Sequence, residues 1–252
     1  MADSELRQHQ LRAVEAMKNI DAICRKNRIK YFMIAGSTLG AIRHKGFIPW
    51  DDDIDIAMTM EQYRKFIKVA PSAIKEPYRW RHTSVDRDYA TLSGGIYFGD
   101  SEPLITVFPL VKLSNNKFQR KMQWIVRKVM SPVWQRKVGY RVPKEKMNGK
   151  QKLSVAGSTI IAALLPKKVV LNILRKYEVK YENQNVLCYC NIYSKYSQEK
   201  ESIKSDWLKE VVYVPFEDTE FPVMKEYNAY LTHLYGDYMT PPPEKERHPV
   251  HL

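Results

Sequence analysis

The chain has 252 residues, a formal net charge of +13 and 44% hydrophobic residues. This length suits one domain, or one domain with an elaborated part, and the apolar content is enough to bury a substantial core. Cys24, Cys188 and Cys190 are an odd number of cysteines without a framework spacing. This excludes a disulfide-stapled fold, gives no support for a zinc site and suits a reducing compartment.

The first half of the chain is predicted to alternate between helices and short strands. Apolar spacing predicts an amphipathic helix over 6–23, a strand over 30–35 and a short helix over 36–43. A second strand follows at 53–58. The next predicted helix covers 60–69 and ends before Pro71, because proline disrupts a helix interior.

The second half is predicted to contain further strands around a group of helices. Strands are predicted at 79–85, 91–98 and 104–113, with a possible bulge at Gly94-Gly95. A basic helix over 117–138 is followed by helices over 156–165 and 168–181, separated by Pro166. Strands at 186–193 and 211–214 precede a helix over 225–235 that ends at Gly236. This irregular order predicts an α+β fold with one mixed sheet flanked by helices, including additional C-terminal helices.

Four carboxylates stand together at the start of the second predicted strand: Asp51, Asp52, Asp53 and Asp55. The alternation of Asp53 and Asp55 with isoleucines has the period of a half-buried strand and places Asp51, Asp53 and Asp55 on one face. Carboxylates on one face repel each other, and a hard divalent cation relieves that repulsion. The pattern therefore predicts a metal site, although a merely solvated acidic turn is the alternative.

A candidate phosphate site precedes the aspartates. Gly36 permits a close approach of a ligand to the backbone, and Ser37 is expected to be the N-cap of the following helix, whose first turn would bind an anion. Arg43, His44 and Lys45 follow that helix. Arginine suits bidentate phosphate contact, lysine offers a point charge, and His44 is a candidate for holding a phosphate oxygen or moving a proton.

Three segments of the chain resemble the LicD family. The first segment runs from Gly36-Ser37 through Trp50-Asp51-Asp52-Asp53-Ile54-Asp55 to Met58, and matches the family's signature almost position for position. The second contains Val214-Pro215-Phe216-Glu217-Asp218 and Phe221-Pro222-Val223, and the third runs from Tyr230-Leu231-Thr232 to Arg247-His248. Three blocks in the right order are more specific than one short motif, and the likeness extends from about residue 11 to the C-terminus.

The resemblance implies a fold, a reaction and a set of site residues. It implies a nucleotidyltransferase-like fold in a single transferase domain over 1–252, with a basic helical insertion at about 115–182. It also implies a Mg²⁺- or Mn²⁺-dependent transfer of a phospho-alcohol, such as phosphocholine or a phospho-polyol, from a CDP-linked donor to a hydroxyl of a cell-surface or lipid-linked glycan, with release of CMP. Asp53 and Asp55 would hold the metal with support from Asp51. Gly36, Ser37 and Arg43 to Lys45 would bind the donor.

One block departs from the family pattern. Thr106 and Val111 stand where the family usually carries aspartates, so the metal site is expected to lack its third carboxylate. Asp100, Glu102 and Glu217 are candidates for supplying the missing charge. For Glu217 and Asp218 a plain turn after the strand is an equally good interpretation.

Much of the net positive charge lies in one segment, in which Glu145 is the single acid. The cations are Lys117, Arg120, Lys121, Arg127, Lys128, Arg136, Lys137, Arg141, Lys144, Lys146, Lys150 and Lys152. Tryptophans are interleaved with them, which favours an anionic membrane surface as partner, whereas a helix with a solvated basic face explains the pattern equally well. The N-terminus starts polar, so we expect no signal peptide and a cytoplasmic or peripheral membrane location at the inner face.

Two other functions remain open at this point. A catalytically degenerate relative could bind nucleotide or glycan, or act as a scaffold, without turnover, as the loss of carboxylates at Thr106 and Val111 suggests. A nucleotidyltransferase acting on RNA or another polymer is suggested by the basic segment, but no nucleic-acid motif accompanies it and nucleic acid is not the expected partner.

Overall fold

A mixed β-sheet carries the segment with the four aspartates. The computed structural model describes residues 2–99, 103–140, 149–194 and 196–248. Within these ranges the helices are α1 Ala2–Lys26, α2 Ala35–His44, α3 Met60–Ala73, α4 Lys117–Lys137, α5 Gly149–Leu164, α6 Lys167–Val179 and α7 Tyr227–Tyr235. The strands are β1 Phe32–Met33, β2 Ile54–Thr59, β3 Tyr78–Arg81, β4 Gly94–Phe98, β5 Pro103–Leu113, β6 Cys188–Asn191, β7 Ser202–Lys204, β8 Val211–Phe216 and β9 Thr219–Met224. The predicted α+β class is confirmed.

The long strand β5 organises the sheet. One edge of β5 pairs with β2 in parallel, and the other pairs with β4 and, further along, with β6 in antiparallel fashion. The strand order β1-β2-β5-β4-β3 is extended by β6 and β7, while β8 and β9 form a separate hairpin. β2 therefore lies between β1, which pairs with Ile56 and Ala57, and β5, which pairs along the whole of β2.

The two faces of the sheet pack against different helices. On one face, Ile54 and Ile56 of β2 pack in one cluster with Val14, Met17 and Ile20 of α1, all at most 2% exposed. A second cluster joins Ala57, Leu110 and residues of α7. The alternation of β2 thus places its isoleucines in the first cluster and leaves Asp55 half-buried on the other face.

Several observed element boundaries and irregularities differ from the predicted ones. α3 continues through Pro71 to Ala73, so the predicted stop before Pro71 is wrong. Pro71 lies in the last turn and removes one helical hydrogen bond, and the amide of Ile74 still donates to the Ala70 carbonyl at 2.9 Å. The irregular register lies at Ile96/Tyr97 and not at Gly94-Gly95. Gly94 instead makes room for Trp80, whose ring would lie 1.8 Å from a Cβ at that position. Strands β7 and β9 are not among the predicted elements.

Helices α4 to α6 span the segment that the sequence predicts as a basic insertion, and hydrogen bonds connect them to the rest of the fold. Gln123 of α4 is 1% exposed and donates to the carbonyls of Lys112 in β5 and Tyr177 in α6. The indole of Trp134 donates to the carbonyl of Tyr89, and Pro166 separates α5 from α6 as predicted. Of the predicted basic segment, Arg141, Lys144, Glu145 and Lys146 lie outside the described residues, as do the side chains of Lys150 and Lys152.

No single helix among the described residues is long and apolar enough to cross a bilayer. Ser154–Leu164 and Lys167–Val179 meet the criteria of length and composition only together, and they are bent by 114° at their break.

Candidate active site

The carboxylates converge where the chain enters β2. Oxygens of Asp51, Asp52 and Asp53 lie within 4.8 Å of one another, with Asp52 buried and the other two half-buried. Carboxylate oxygens at this spacing are the ligands that hard divalent cations such as Mg²⁺ prefer, so the donor set fits the implied metal. Asp52 is therefore also a candidate ligand. The strand alternation, which placed Asp51, Asp53 and Asp55 on one face, did not predict this role for Asp52. β2 begins at Ile54, so Asp53 precedes the strand and the strict strand pattern does not extend to Asp51.

Asp55 is held from the β1 side by the start of α2. Its carbonyl accepts from the amide of Ile34 at 3.0 Å, and its amide donates to the hydroxyl of Ser37 at 2.7 Å. The expectation that Ser37 is an N-cap is wrong. α2 begins at Ala35 after Ile34, and Ser37 lies inside the first turn, where its hydroxyl meets a strand amide instead of a helix amide. The serine therefore fixes the backbone of Asp55 next to the helix N-terminus.

Gly36 allows a close approach, and the group that approaches is Asp51. A Cβ built on Gly36 would lie 2.8 Å from the Asp51 Oδ2, so any larger residue would displace this carboxylate. The neighbouring residue Ala35 has a φ of 48°, and its amide donates to the hydroxyl of the buried Tyr230. The first turn of α2 is thus built around the acidic cluster, and helix first-turn amides are the groups that bind anions.

The basic turn is ordered by contacts with distant parts of the chain. Arg43 Nη1 donates to the Tyr238 carbonyl at 2.8 Å, and its Nε lies 2.9 Å from His44 Nε2. Partial burial lowers the pKa of Arg43, and the positive charge of Arg247 lowers it further. Burial and the charge of Arg43 likewise lower the pKa of His44, which favours its neutral form. Lys45 is exposed and adopts a φ of 55° as the residue that ends α2.

Arg247 is a second cation on this side that residue reasoning alone did not single out. Its guanidinium lies over the ring of Trp50 at 5.4 Å, next to the first aspartate. The signal available in the sequence was its position in the third segment of the family resemblance. Two guanidinium groups near each other are unfavourable without an anion, so Arg43 and Arg247 together suit a phosphate.

Glu217 supports the basic turn instead of joining the carboxylate cluster. Its carboxylate accepts from Arg7 at 2.5 and 3.0 Å and from the Phe47 amide at 3.2 Å, and its own amide donates to the Lys45 carbonyl. The hydrogen bond from Arg7 lowers the pKa of Glu217. Asp218 pairs with Lys18 at 2.8 Å. The interpretation of this segment as a turn is therefore the one that its contacts favour.

The segment that carries the acidic cluster lies within a match to a known protein family. Residues 28–162 match the family described as LicD/FKTN/FKRP, nucleotidyltransferase domain. The chain belongs to this LicD family. It is 30% identical to the lipopolysaccharide cholinephosphotransferase LicD of Haemophilus influenzae over 98% of this chain and 96% of the relative. It is also 32% identical to the uncharacterized protein RT0683 of Rickettsia typhi, over 34% of this chain and 29% of that protein.

The two departures from the LicD pattern have different structural consequences. Thr106 is the register partner of Asp55 across the parallel β2–β5 pair, so it is the neighbour of the acidic strand on the β5 side. Val111 is fully buried in a cluster with Leu113, Cys190 and Ile192. Only Thr106 therefore changes the charge beside the carboxylates of this LicD-family site. Asp100 and Glu102, the other candidates for a compensating acid, lie outside the described residues.

Proposed function

We propose that the chain is a phosphotransferase that moves a phospho-alcohol from a CDP-linked donor to a hydroxyl of a glycan, with release of CMP. The observation that carries the proposal is the acidic cluster at the start of β2, which faces the first turn of α2 inside the family-matched region. The name of the relative from Haemophilus influenzae, a lipopolysaccharide cholinephosphotransferase, favours phosphocholine as the alcohol and a surface glycan as acceptor.

The residues present fit a divalent cation. Asp53 and Asp55 are the proposed ligands. The carboxylate oxygens of Asp51 and Asp52 lie within 4.8 Å of that of Asp53, whereas Asp55 is not part of this group. When bound, Mg²⁺ or Mn²⁺ would neutralise charge on the transferring phosphoryl group. The protein residues supply the rest: the first turn of α2 at Gly36 and Ser37 orients phosphate oxygens, and Arg43, His44 and Lys45 hold the donor from the other end of that helix. The phosphate-binding residues and the acidic residues thus have different roles. Such a division is typical of centres in which catalysis comes from positioning of the reactants and stabilisation of charge.

A screen of CDP-alcohols tests the function directly. We expect the protein to release CMP from CDP-choline or another CDP-alcohol, such as CDP-ribitol, only when Mg²⁺ or Mn²⁺ is present. Asp53→Asn and Asp55→Asn should lower that release by more than about 100-fold, because even outer-shell partners of metal ligands contribute about 10–100-fold. Circular dichroism of the variants should be unchanged, since both side chains are only half-buried.

The control for these variants is Asp218→Asn, which removes an acid that pairs with Lys18 at the surface. Full activity of Asp53→Asn or Asp55→Asn would contradict the assignment of the metal ligands. Nucleotide binding without CMP release from any CDP-alcohol would favour the scaffold alternative, and tight RNA binding at physiological salt would favour the polymer nucleotidyltransferase.

We also propose a peripheral location at an anionic membrane. The solvent side of α5 carries several apolar residues: Ile160 is 64% exposed and Leu164 is 76% exposed, with Ala156, Gly157 and Ala163 exposed beside them. Two small polar residues, Ser154 and Thr159, are exposed on the same helix. Lys167 and Lys168 follow this helix, and Lys117, Lys121 and Lys128 are exposed on α4. An exposed apolar helix face near lysines matches the chemistry of an anionic lipid surface, where a lipid-linked acceptor would also be found.

A further inference from the structure

A cavity of about 580 Å³ opens beside Thr106. Thr106 and Phe108 of β5 and Tyr97 of β4 form one wall, and Arg127, Ser131 and Trp134 of α4 form another. The three α4 residues are spaced four and three apart, so they lie on one face of the helix. The cavity has the size of a site for a small molecule or for one or two sugar rings.

Two polar groups of α4 at this cavity are buried without a protein partner. The Nε of Arg127 and the Oγ of Ser131 have no hydrogen-bond partner in the part of the chain that the structure describes. Arg127 Nη2 donates to the Ser194 carbonyl at 3.3 Å, and the guanidinium lies 5.9 Å from the centre of the Tyr193 ring. Burial lowers its pKa, and the charge of Glu201 offsets part of that effect without forming an ion pair with Arg127. A largely desolvated guanidinium is costly, and an anion in the adjacent cavity would offset that cost. Ser131 offers a hydroxyl next to it.

Tyr89 and Arg81 extend the wall that contains Tyr97 and give it an aromatic surface. The hydroxyls of Tyr89 and Tyr97 are 2.9 Å apart, and Arg81 lies over both rings at 5.2 and 5.4 Å. Trp134 is 2% exposed and is fixed by its hydrogen bond to the Tyr89 carbonyl. Flat apolar faces with a few hydroxyl groups suit a ring that carries both apolar and hydroxyl groups.

The cavity lies on the opposite side of the acidic strand from the proposed donor site. The start of α2 contacts Asp55 from the β1 side through Ile34 and Ser37, whereas Thr106 adjoins Asp55 from the β5 side. In phosphoryl transfer the attacking and leaving oxygens lie roughly in line across the phosphorus. A donor held at α2 therefore leaves the β5 side for the attacking hydroxyl.

We propose that this cavity is the acceptor subsite and that it takes a sugar ring bearing an anionic group, which Arg127 binds. The proposal rests on the transfer function proposed above and names the substrate class of the same site. Phosphate and carboxylate share the chemistry that Arg127 recognises, and the two are separated below by different probes. A nucleotide in the same cavity is the competing outcome.

The test measures binding without donor and without metal. Glucose 6-phosphate, glucuronate, glucose, inorganic phosphate and CMP are titrated separately into the protein, with isothermal titration calorimetry and saturation-transfer NMR as readouts. We expect glucose 6-phosphate, glucuronate or both to bind more tightly than glucose and than inorganic phosphate. Arg127→Gln should weaken that binding at least about tenfold, because it removes the charged donor that binds the anion. Lys65→Gln, at an exposed position of α3 outside the lining of the cavity, is the control and should bind like the wild type.

A second variant keeps the proposal testable if Arg127→Gln does not fold. Ser131→Leu keeps all charges, removes the hydroxyl and narrows the cavity next to Arg127, so it should also weaken binding while circular dichroism stays that of the wild type. Equal binding of the acidic sugars by wild type, Arg127→Gln and Ser131→Leu would overturn the proposal. Binding of CMP that depends on Arg127 would overturn it in favour of a nucleotide subsite, and phosphate binding as tight as that of glucose 6-phosphate would contradict the role of the aromatic wall.

The failure of this proposal differs from the failure of the proposed function. If CMP is released from a CDP-alcohol but neither acidic sugar binds, the subsite alone is wrong. If acidic sugars bind through Arg127 but no CDP-alcohol yields CMP, the proposed transfer function is wrong. The cavity is then a binding site for acidic sugars and not an acceptor subsite.

Discussion

At the scale of single residues, the side chains around Asp55 divide into those that carry charge to the site and those that hold its backbone. Asp51, Asp52 and Asp53 form the acidic cluster, whereas Ser37 fixes the Asp55 amide. Thr106 is the residue whose role the sequence left most open. Its register with Asp55 means that a carboxylate at position 106 would stand beside the existing ones.

We predict that Thr106→Asp raises the affinity for Mg²⁺ or Mn²⁺ by about tenfold, because one more negative charge near the cation contributes on the order of 1–4 kcal/mol at the edge of a protein. Calorimetric titration with Mn²⁺ measures this. Unchanged affinity, or slower turnover in the Thr106→Asp variant, would mean that the centre is built around a neutral residue. Val111→Asp is the contrasting variant: it should lower the thermal unfolding temperature strongly, since Val111 is fully buried among apolar side chains.

His82 gives the clearest dependence of stability on pH. It is 6% exposed, its ring stacks on Trp80, and burial, with a smaller effect of Arg175, lowers its pKa from 6.5 to about 4. Between these values the unfolded chain binds a proton that the folded chain does not. The stability contributed by neutral His82 is therefore full above pH 6.5 and is lost as the pH falls towards 4, by up to about 3 kcal/mol.

We predict that His82→Gln makes the free energy of unfolding less dependent on pH between 6.5 and 4 than in the wild type. Urea unfolding at pH 7, 5.5 and 4.5 measures this. The control is Asn183→Gln, which alters an exposed side chain that does not titrate and should keep the slope of the wild type. Identical slopes for wild type and His82→Gln would show that His82 titrates normally in the folded protein.

At the scale of elements, the lysines and the arginines of α4 differ in their exposure, which the sequence pattern did not predict. Lys117, Lys121 and Lys128 of α4 are exposed, whereas the Nε atoms of Arg120, Arg127 and Arg136 are buried. Val133 and Trp134 belong to the core that α4 shares with α6. The basic helix is thus neither a uniformly solvated face nor a purely membrane-facing one, and the apolar surface left outside belongs to α5.

We predict that the protein sediments with vesicles containing anionic phosphatidylserine and that binding weakens as salt rises, because salt screens the lysines. The double variant Ile160→Ser with Leu164→Ser should bind at least about tenfold more weakly, since each apolar CH₂ inserted contributes about 0.8 kcal/mol. Met239→Ser is the control: Met239 is 55% exposed and lies outside the insertion. Equal association with neutral and anionic vesicles, or no effect of the α5 variant, would contradict this membrane surface.

At the scale of the whole molecule, the insertion and the sheet are joined by directed contacts. Gln123 bridges α4 to β5 and α6, Arg64 of α3 pairs with Glu182 at 2.6 Å, and Lys112 of β5 donates to the Glu182 carbonyl. We therefore predict that residues 1–252 unfold as one cooperative domain, with equal calorimetric and van't Hoff enthalpies. Gln123→Ala should lower the unfolding temperature within a single transition, because it removes the side-chain donor that the Lys112 and Tyr177 carbonyls share. An early transition confined to the helices would show that the insertion is a separate unit.

The sequence by itself determined the fold class, the acidic strand and the family. Local patterns were sufficient because the alternating isoleucines and aspartates, Pro166 and the three family blocks act within short stretches of chain, although Pro71 did not end its helix. Only the tertiary structure decided which long-range partners each residue meets. Ser37 serves a strand amide, Asp51 occupies the space that Gly36 leaves, Glu217 supports the basic turn, and Thr106 and Val111 fall in different environments. The cavity beside Thr106 joins residues from β4, β5 and α4, and such a juxtaposition arises from packing between elements that no periodicity along the chain encodes.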